Sequence, residues 1–374
     1  MLFSLQIPTR VFGGRGCVSE HLGDCLPGRR AYLVTGASGA RKSGALQDVC
    51  DVLTARKIPF DHFDGVKENP SLALCYEAGR KAAEAKADFV IGIGGGSALD
   101  AAKAVAAFAA NPAIAPMDLF DVSALQNDPL PVLAIPTTAG TGSEVNVYSV
   151  LTLDDDQGLR KKTFKDPRSW PKAAFLDPAY TASLPRTVTI STALDAFHHA
   201  LESYLSPKTT VVSELFALYA AKQIWEVLTQ YPDTFTEDLR AALQNAACAA
   251  GIAISVTGTG FPHPLGYSLS LMDGIPHGAA CAAFAEDYLT YNEKSPAGKE
   301  RLESFYAALG TTGKVMKTFL PALADVHLTF TEEEIAQRLA PVVTAGNYQN
   351  SPYVLSREEM FAIYRRLFGA KHTR

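Results

Sequence analysis

The stretch Phe89-Val-Ile-Gly-Ile-Gly-Gly-Gly-Ser-Ala-Leu-Asp100 decides the fold class. Five residues of buried-strand composition run into three consecutive glycines, and an Ala-rich helical stretch follows to about Ala110. The same unit recurs on both sides. Ala31-Tyr-Leu-Val34 leads into Thr35-Gly-Ala-Ser-Gly-Ala40 and a helical pattern from about Gly44. Pro131-Val-Leu-Ala-Ile135 leads into Pro136-Thr-Thr-Ala-Gly-Thr-Gly-Ser-Glu144. Strand, glycine-rich turn and helix in alternation predict a parallel α/β sheet that binds ligands at the C-terminal ends of its strands. After about Pro185 strand-like alternation nearly vanishes and apolar residues recur at helical spacing. Thr331-Glu-Glu-Glu334 and Ser356-Arg-Glu-Glu359 fit capping boxes that start helices. Two domains are expected, an α/β domain over 1–185 and an all-α domain over 186–374.

Composition agrees and narrows the partners. A chain of 374 residues is long for one core, and 47% hydrophobic with 20% charged residues is globular. Lys and Arg number 34 against 39 Asp and Glu, a net charge of −5. Such a mildly acidic chain has no global attraction for nucleic acid or anionic lipid. No run approaches the roughly 18–20 uninterrupted apolar residues of a spanning helix. The opening Met1-Leu-Phe-Ser-Leu-Gln-Ile-Pro-Thr-Arg10 lacks a basic start and a long apolar core, so no export is expected. The six scattered cysteines contain no CxxC pair and read as reduced thiols of a cytoplasmic protein.

The glycine-rich turns are the first candidate site. Gly94, Gly95, Gly96 and Ser97 would open a helix, where bare backbone and the helix N-terminus suit a pyrophosphate. Ser97 is expected as N-cap with Asp100 as its capping-box partner. Thr137, Thr138, Thr141 and Ser143 crowd hydroxyls at the end of the neighbouring strand. Either turn alone could be a tight connection, but together they favour a dinucleotide lying across both. Gly36, Gly39 and Gly44 do not fit G-x-G-x-x-G. Residues 35–40 hold no carboxylate for a ribose 2′-hydroxyl. Gly36 and Ser38 followed by Arg41 and Lys42 would instead accommodate a 2′-phosphate, which favours NADP(H) over NAD(H).

The second candidate is a metal centre. Asp195 and His199 stand four apart in Asp195-Ala-Phe-His-His-Ala-Leu-Glu202, on one face of a predicted helix. His263 and His277 follow, 14 residues apart. One carboxylate and three imidazoles would suit a borderline divalent ion, Fe²⁺ or Zn²⁺. The plainer reading is an i,i+4 ion pair and packed loop histidines. His198 points about 100° away around the helix, and Glu202, four residues on, is its expected partner.

These motifs, with Pro8-Thr-Arg-Val-Phe-Gly-Gly-Arg-Gly16, resemble the iron-containing (group III) alcohol dehydrogenases in order and spacing along nearly the whole chain. The resemblance implies the two-domain architecture of dehydroquinate synthase, with a Rossmann-like dinucleotide-binding domain first and metal and nicotinamide meeting in the interdomain cleft. It implies that Asp195, His199, His263 and His277 are the metal ligands. It also implies cofactor contacts from residues 94–97, Thr137, Thr138, Ser143 and Lys161, with Lys162 as the alternative basic residue. Many members carry a further histidine four residues after the third ligand, and here Tyr267 stands there. The proton relay then runs through Tyr267, a ribose hydroxyl or water.

The expected function is metal-dependent hydride transfer between nicotinamide C4 and a small alcohol or aldehyde, in a homodimer or higher homo-oligomer. Fe²⁺ is the first expectation for the metal and Zn²⁺ the second. Asn146, Phe261, Tyr267 and Leu271 are expected to flank the pocket. Two rival readings are a dehydroquinate synthase-like lyase using NAD transiently and a non-catalytic nucleotide-binding subunit. The absence of a basic cluster around 250–280 argues against the first, and the complete ligand set against the second. A hydrolase has no HExxH or GxSxG element to rest on.

Overall fold

The computed structural model describes residues 5–156 and 158–370. Six strands form one parallel sheet: β1 (Arg10–Gly13), β2 (Ala31–Gly36), β3 (Phe60–Val66), β4 (Phe89–Gly94), β5 (Val132–Pro136) and β8 (Ala173–Leu176). Their order is β1-β8-β5-β4-β2-β3. Between β5 and β8 the chain leaves the sheet as an antiparallel hairpin, β6 (Tyr148–Asp155) and β7 (Gly158–Lys165). Central strands β2, β4 and β5 are buried on both faces, which is why they read as unbroken apolar runs.

Helices α1 (Cys17–Cys25), α2 (Gly39–Lys42) and α3 (Ala45–Ala55) belong to one side of the sheet, where Leu22, Val49 and Leu53 pack on Leu33, Ile91 and Phe175. On the other side lie α4 (Leu72–Glu84) and α5 (Gly96–Ala110), with Ala78, Val105 and Phe108 against Val34 and Val90. The chain passes from β2 to β3 over the first side and from β4 to β5 over the second. The sheet therefore has a topological switch between β2 and β4, and the crevice at their C-terminal ends is where such sheets bind ligands.

From Arg186 on, the described residues form α-helices joined by turns and loops, with an isolated bridge between Phe330 and Gly369. The helices are α6 (Arg186–Leu205), α7 (Val211–Gln230), α8 (Glu237–Thr257), α9 (Pro262–Met272), α10 (His277–Ala282) and α11 (Ala285–Asn292), then α12 (Pro296–Ala308), α13 (Gly313–Ala324), α14 (Glu332–Leu339) and α15 (Arg357–Phe368). Thr331 and Ser356 make reciprocal capping boxes with Glu334 and Glu359, as their spacing predicts. α6 is the central helix. Its residues 193–205 are all buried, so it carries no solvent face to signal amphipathicity. α8 is long and apolar enough to cross a bilayer by length and composition, and here its Leu243, Ala246, Ala250 and Ala253 pack in the helical core.

The two halves meet backbone to backbone. Gly142, at φ +61°, lies against Gly251 of α8 so closely that a Cβ on Gly251 would sit 2.6 Å from the Gly142 Cα. Val145, Ala174 and Leu176 from the sheet side close a small core with Cys248 and Ile252 beside this contact. The second glycine-rich turn is thereby fixed in position by the helical half.

Candidate active site

α6 places Asp195, His199 and Glu202 on one face by spacings of four and three. His263 comes from the first turn of α9, where Pro262 suits the first helical position. His277 opens α10, and Gly278 lets that helix start press on α6, because a Cβ there would collide with the Ser191 carbonyl. The four side chains converge. Asp195 Oδ1 lies 3.6 Å from His199 Nε2, 3.6 Å from His263 Nε2 and 3.9 Å from His277 Nε2. The His199 and His263 rings stack at 4.8 Å, while His277 meets His263 edge-on.

Asp195 is almost fully buried, and burial pushes its carboxyl up, yet the facing imidazoles of His199, His263 and His277 together hold it far below the usual carboxylate range. Burial likewise favours neutral His199 and His277, the latter also because the Lys161 ammonium is near. His263 goes the other way: burial lowers it, but Glu202 and Asp195 outweigh burial and hold it up to about 9. A site that retains a proton against desolvation offers the same negative field to a divalent cation.

The donor chemistry fits such an ion. Asp195 Oδ1 and His263 Nε2 are buried, have no hydrogen-bond partner, and face one another across the cluster. Glu202 explains why His263 presents that nitrogen. Glu202 Oε2 accepts from His263 Nδ1 at 2.8 Å and from the Gly260 N–H at 2.6 Å, so Nδ1 keeps its proton and the one that a cation would displace is on Nε2, which faces inward. The expected pairing of Glu202 with His198 is corrected here. His198 Nδ1 instead donates to the Leu194 carbonyl at 2.9 Å, one turn back on its own helix. Sequence spacing could not find the His263–Glu202 bond because it joins residues 61 apart.

Above the cluster stands Tyr267, one turn after His263. It stacks on His277 at 5.8 Å and receives the Lys161 ammonium over its ring at 4.9 Å. Strand alternation resolves the choice of lysine. Lys161 of β7 faces Tyr267, and Lys162 turns to the opposite side, over Phe120. Burial lowers the Lys161 ammonium and raises the Tyr267 phenol. Among the expected flanking residues Leu271 is half-buried, whereas Phe261 lies in the helical core against Tyr288. Asn146 is held by Lys103 and the Gly142 carbonyl.

The glycine turns lie at the switch crevice. Gly94 ends β4 at φ +151°, and α5 starts at Gly96 with Gly95 as N-cap. This corrects the expected Ser97–Asp100 capping box. Asp100 turns away to accept from Ser143 Oγ at 2.5 Å and the Val150 N–H at 2.9 Å. Thr137 N–H bonds the Gly94 carbonyl, and Cβ atoms at Gly95 or Gly96 would meet Thr138 or Thr141. The two turns therefore abut, and their glycines are needed for that packing. Gly36 and Ser38 sit at the end of β2, next to β4. Arg41 is paired at 3.2 Å with Asp64, a carboxylate supplied by β3 rather than by residues 35–40.

A buried network supports these turns. Lys103 Nζ donates to Ser143 Oγ, Asn146 Oδ1 and the Tyr148 carbonyl at 2.8, 3.2 and 2.7 Å. Burial lowers Lys103 to about 8 despite Asp100 and Glu144. Burial raises Glu144 to about 7, against the pull of its own N–H and Lys103.

Comparison with known proteins adds the chemistry that families of this shape perform. Residues 8–178 match the iron-containing alcohol dehydrogenase profile, and 189–368 match the C-terminal profile of the Fe-containing alcohol dehydrogenase family. A sulfoacetaldehyde reductase of Bilophila wadsworthia is 32% identical, covering 99% of this chain and 94% of that protein. An NADPH-dependent butanol dehydrogenase of Clostridium saccharobutylicum is 30% identical, covering 87% and 82%. Among solved structures, an iron-containing alcohol dehydrogenase of Thermotoga maritima superposes with a TM-score of 0.90 at 34% identity, over 98% of this chain and 99% of that one.

Two outcomes are expected from this geometry. Glu202→Gln should weaken metal binding by about 10–100-fold while the chain remains folded, read by competition with a chelator. Glu144 has a folded pKa of about 7 against an ordinary 4.5, so its contribution to stability is full below 4.5 and lost as pH rises through 7. Denaturant unfolding across pH 4.5–8 should show wild type losing on the order of 3 kcal/mol relative to Glu144→Gln. A pH-independent difference between the two would remove Glu144 from that role.

Proposed function

This chain belongs to the iron-containing alcohol dehydrogenase family, and from that we propose which residues carry its reaction and what it acts on. It is an oxidoreductase of CH–OH groups that uses a divalent metal and a nicotinamide cofactor. The carrying observation is the approach of His199, His263 and His277 to within 3.6–3.9 Å of Asp195 Oδ1, in a cluster buried except at half-buried His277, where Asp195 Oδ1 and His263 Nε2 lack hydrogen-bond partners. We assign those four as the metal ligands, residues 1–185 as the dinucleotide-binding domain and 186–374 as the metal-binding domain.

When bound, the metal supplies Lewis acidity, which lowers the pKa of an alcohol and polarises an aldehyde carbonyl. The chain does the rest. The α5 N-terminus and residues 94–97 would hold the pyrophosphate, with Thr137, Thr138 and Thr141 on the adjoining turn. Asp100 and Ser143 act one layer below, keeping both turns in register through Lys103. Nicotinamide C4 and the substrate carbon would then meet between β7 and α9, where burial excludes water and aligns the hydride. Lys161, with its ammonium over the Tyr267 ring, and Tyr267, with its ring on His277, bring proton-bearing side chains to the cluster, and we assign Tyr267 the relay of the substrate proton.

A small alcohol, diol or aldehyde is the proposed substrate. A preference for NADP(H) is supported by small Gly36 and Ser38 beside exposed Arg41 and Lys42. The six free thiols support a cytoplasmic enzyme. A homo-oligomer is supported by Val211, Leu215 and Tyr219, a stripe at i, i+4 and i+8 of α7 that is 49–72% exposed.

The central test is a spectrophotometric panel of short aldehydes and alcohols with NADPH and NADH after Fe²⁺ or Zn²⁺ loading. Metal-dependent oxidation of NADPH is expected, with NADH slower. His277→Ala should abolish turnover while NADPH binding, read by its fluorescence, persists. Full activity in that variant would remove His277 from the ligand set. Light scattering should show an oligomer that Leu215→Glu dissociates, and a monomeric wild type would exclude this surface.

A further inference from the structure

Strand β3 brings a carboxylate to the rim where the adenosine ribose would lie. In sheets of this order that ribose sits at the C-terminal end of the strand beside the phosphate-binding one, here β2 beside β4. β2 ends at Gly36, and its outer neighbour β3 does not keep regular register with it. Val34 is paired with Phe63 and Gly36 with Val66, so β3 takes three steps where β2 takes two. The extra residue falls at Asp64-Gly65. Such a bulge is rare between parallel strands, and it re-aims a side chain. His62 secures the strand just before it, with Nε2 2.9 Å from Thr35 Oγ1. Asp64 then meets Arg41 of α2 at 3.2 Å. Both side chains are more than half exposed, so water screens the pair and it stabilises the fold little. A side chain re-aimed by a bulge for so weak a bond points to a role outside folding.

We propose that Asp64 sets the cofactor preference by restraining NADP(H): it occupies Arg41 and places a like charge beside the 2′-phosphate. The inference rests on the reading that Gly36, Ser38, Arg41 and Lys42 receive that phosphate. β3 lies one strand spacing, about 4.8 Å, beyond β2, so Asp64 acts there through its charge. A unit charge roughly 6 Å from a phosphate dianion in a water-like medium changes affinity about tenfold, and salt screening brings this to about threefold. The restraint leaves NADPH preferred but keeps NADH within reach. The opposite account is that Asp64 holds Arg41 ready for the phosphate, so that its removal would weaken NADPH binding.

Full-length, metal-loaded protein titrated with NADPH and with NADH, followed by nicotinamide fluorescence, separates the two. The quantity read is the NADH dissociation constant divided by that of NADPH. Asp64→Asn should raise this ratio about 3–10-fold near 0.15 M salt, and by less in 1 M salt. Arg41→Ala should lower it. A ratio lowered by Asp64→Asn overturns the proposal in favour of the opposite account. Two constants that move together, leaving the ratio as it was, also overturn it, because a purely structural role does that. If Arg41→Ala lowers the ratio while Asp64→Asn leaves it unchanged, the proposal falls and the 2′-phosphate reading stands. If neither variant changes the ratio, both fall.

Discussion

Asp195 is a carboxylate held in the protein interior, and the arrangement around it answers the cost of that burial. A buried charge left alone is destabilising by several kcal/mol, so it must be met by charge, hydrogen bonds or a metal. Three imidazoles from three helices meet it here, and a fourth group, Glu202, orients one of them. Two carboxylates and three histidines in one buried volume are stable together only if positive charge is shared among them. A divalent ion supplies that charge in a form that protons reproduce only in part. The features that make the cluster awkward for an apo protein therefore make it suitable for a metal.

The same constraint shapes the scaffold. Helices α6, α9 and α10 must approach closely enough for their side chains to share one point, and Gly278 allows the closest of these contacts. Gly142 against Gly251 ties the second glycine-rich turn to α8. Lys103, buried among Ser143, Asn146 and the Tyr148 carbonyl, locks α5 to the loop that leads to the β6–β7 hairpin. That hairpin brings Lys161 over Tyr267. The two glycine turns, Lys161 with Tyr267, and the Asp195–histidine cluster are thus linked by rigid contacts, and a shift in any of them would be felt at the others.

Much of this was legible from local patterns. Ala31-Tyr-Leu-Val34 and Phe89-Val-Ile-Gly-Ile93 lie in β2 and β4, and Pro131-Val-Leu-Ala-Ile135 lies in β5 from Val132 on, since strands buried on both faces must be apolar throughout. Asp195 and His199 share a face because helical periodicity demands it. Edge strand β3, with its polar Phe60-Asp-His-Phe-Asp-Gly-Val66, and the β6–β7 hairpin carry weaker signals and stand out only once paired. The Ser97–Asp100 box failed for a physical reason. Its spacing was right, but Asp100 found stronger partners in Ser143 and the Val150 N–H than in its own helix start.

By itself, the sequence determined the α/β-then-α order, the glycine turns at strand ends and the shared face of Asp195 and His199 on α6, because each follows from a period of two or 3.6 residues along one segment. Only the tertiary structure decided that Glu202 bonds His263 rather than His198, that Lys161 rather than Lys162 faces Tyr267, and that Cys281 stands beside His277. Each of those depends on how separate segments are placed in space, and side-chain hydrogen bonds are won by whichever buried partner comes nearest, however far away it lies in the chain.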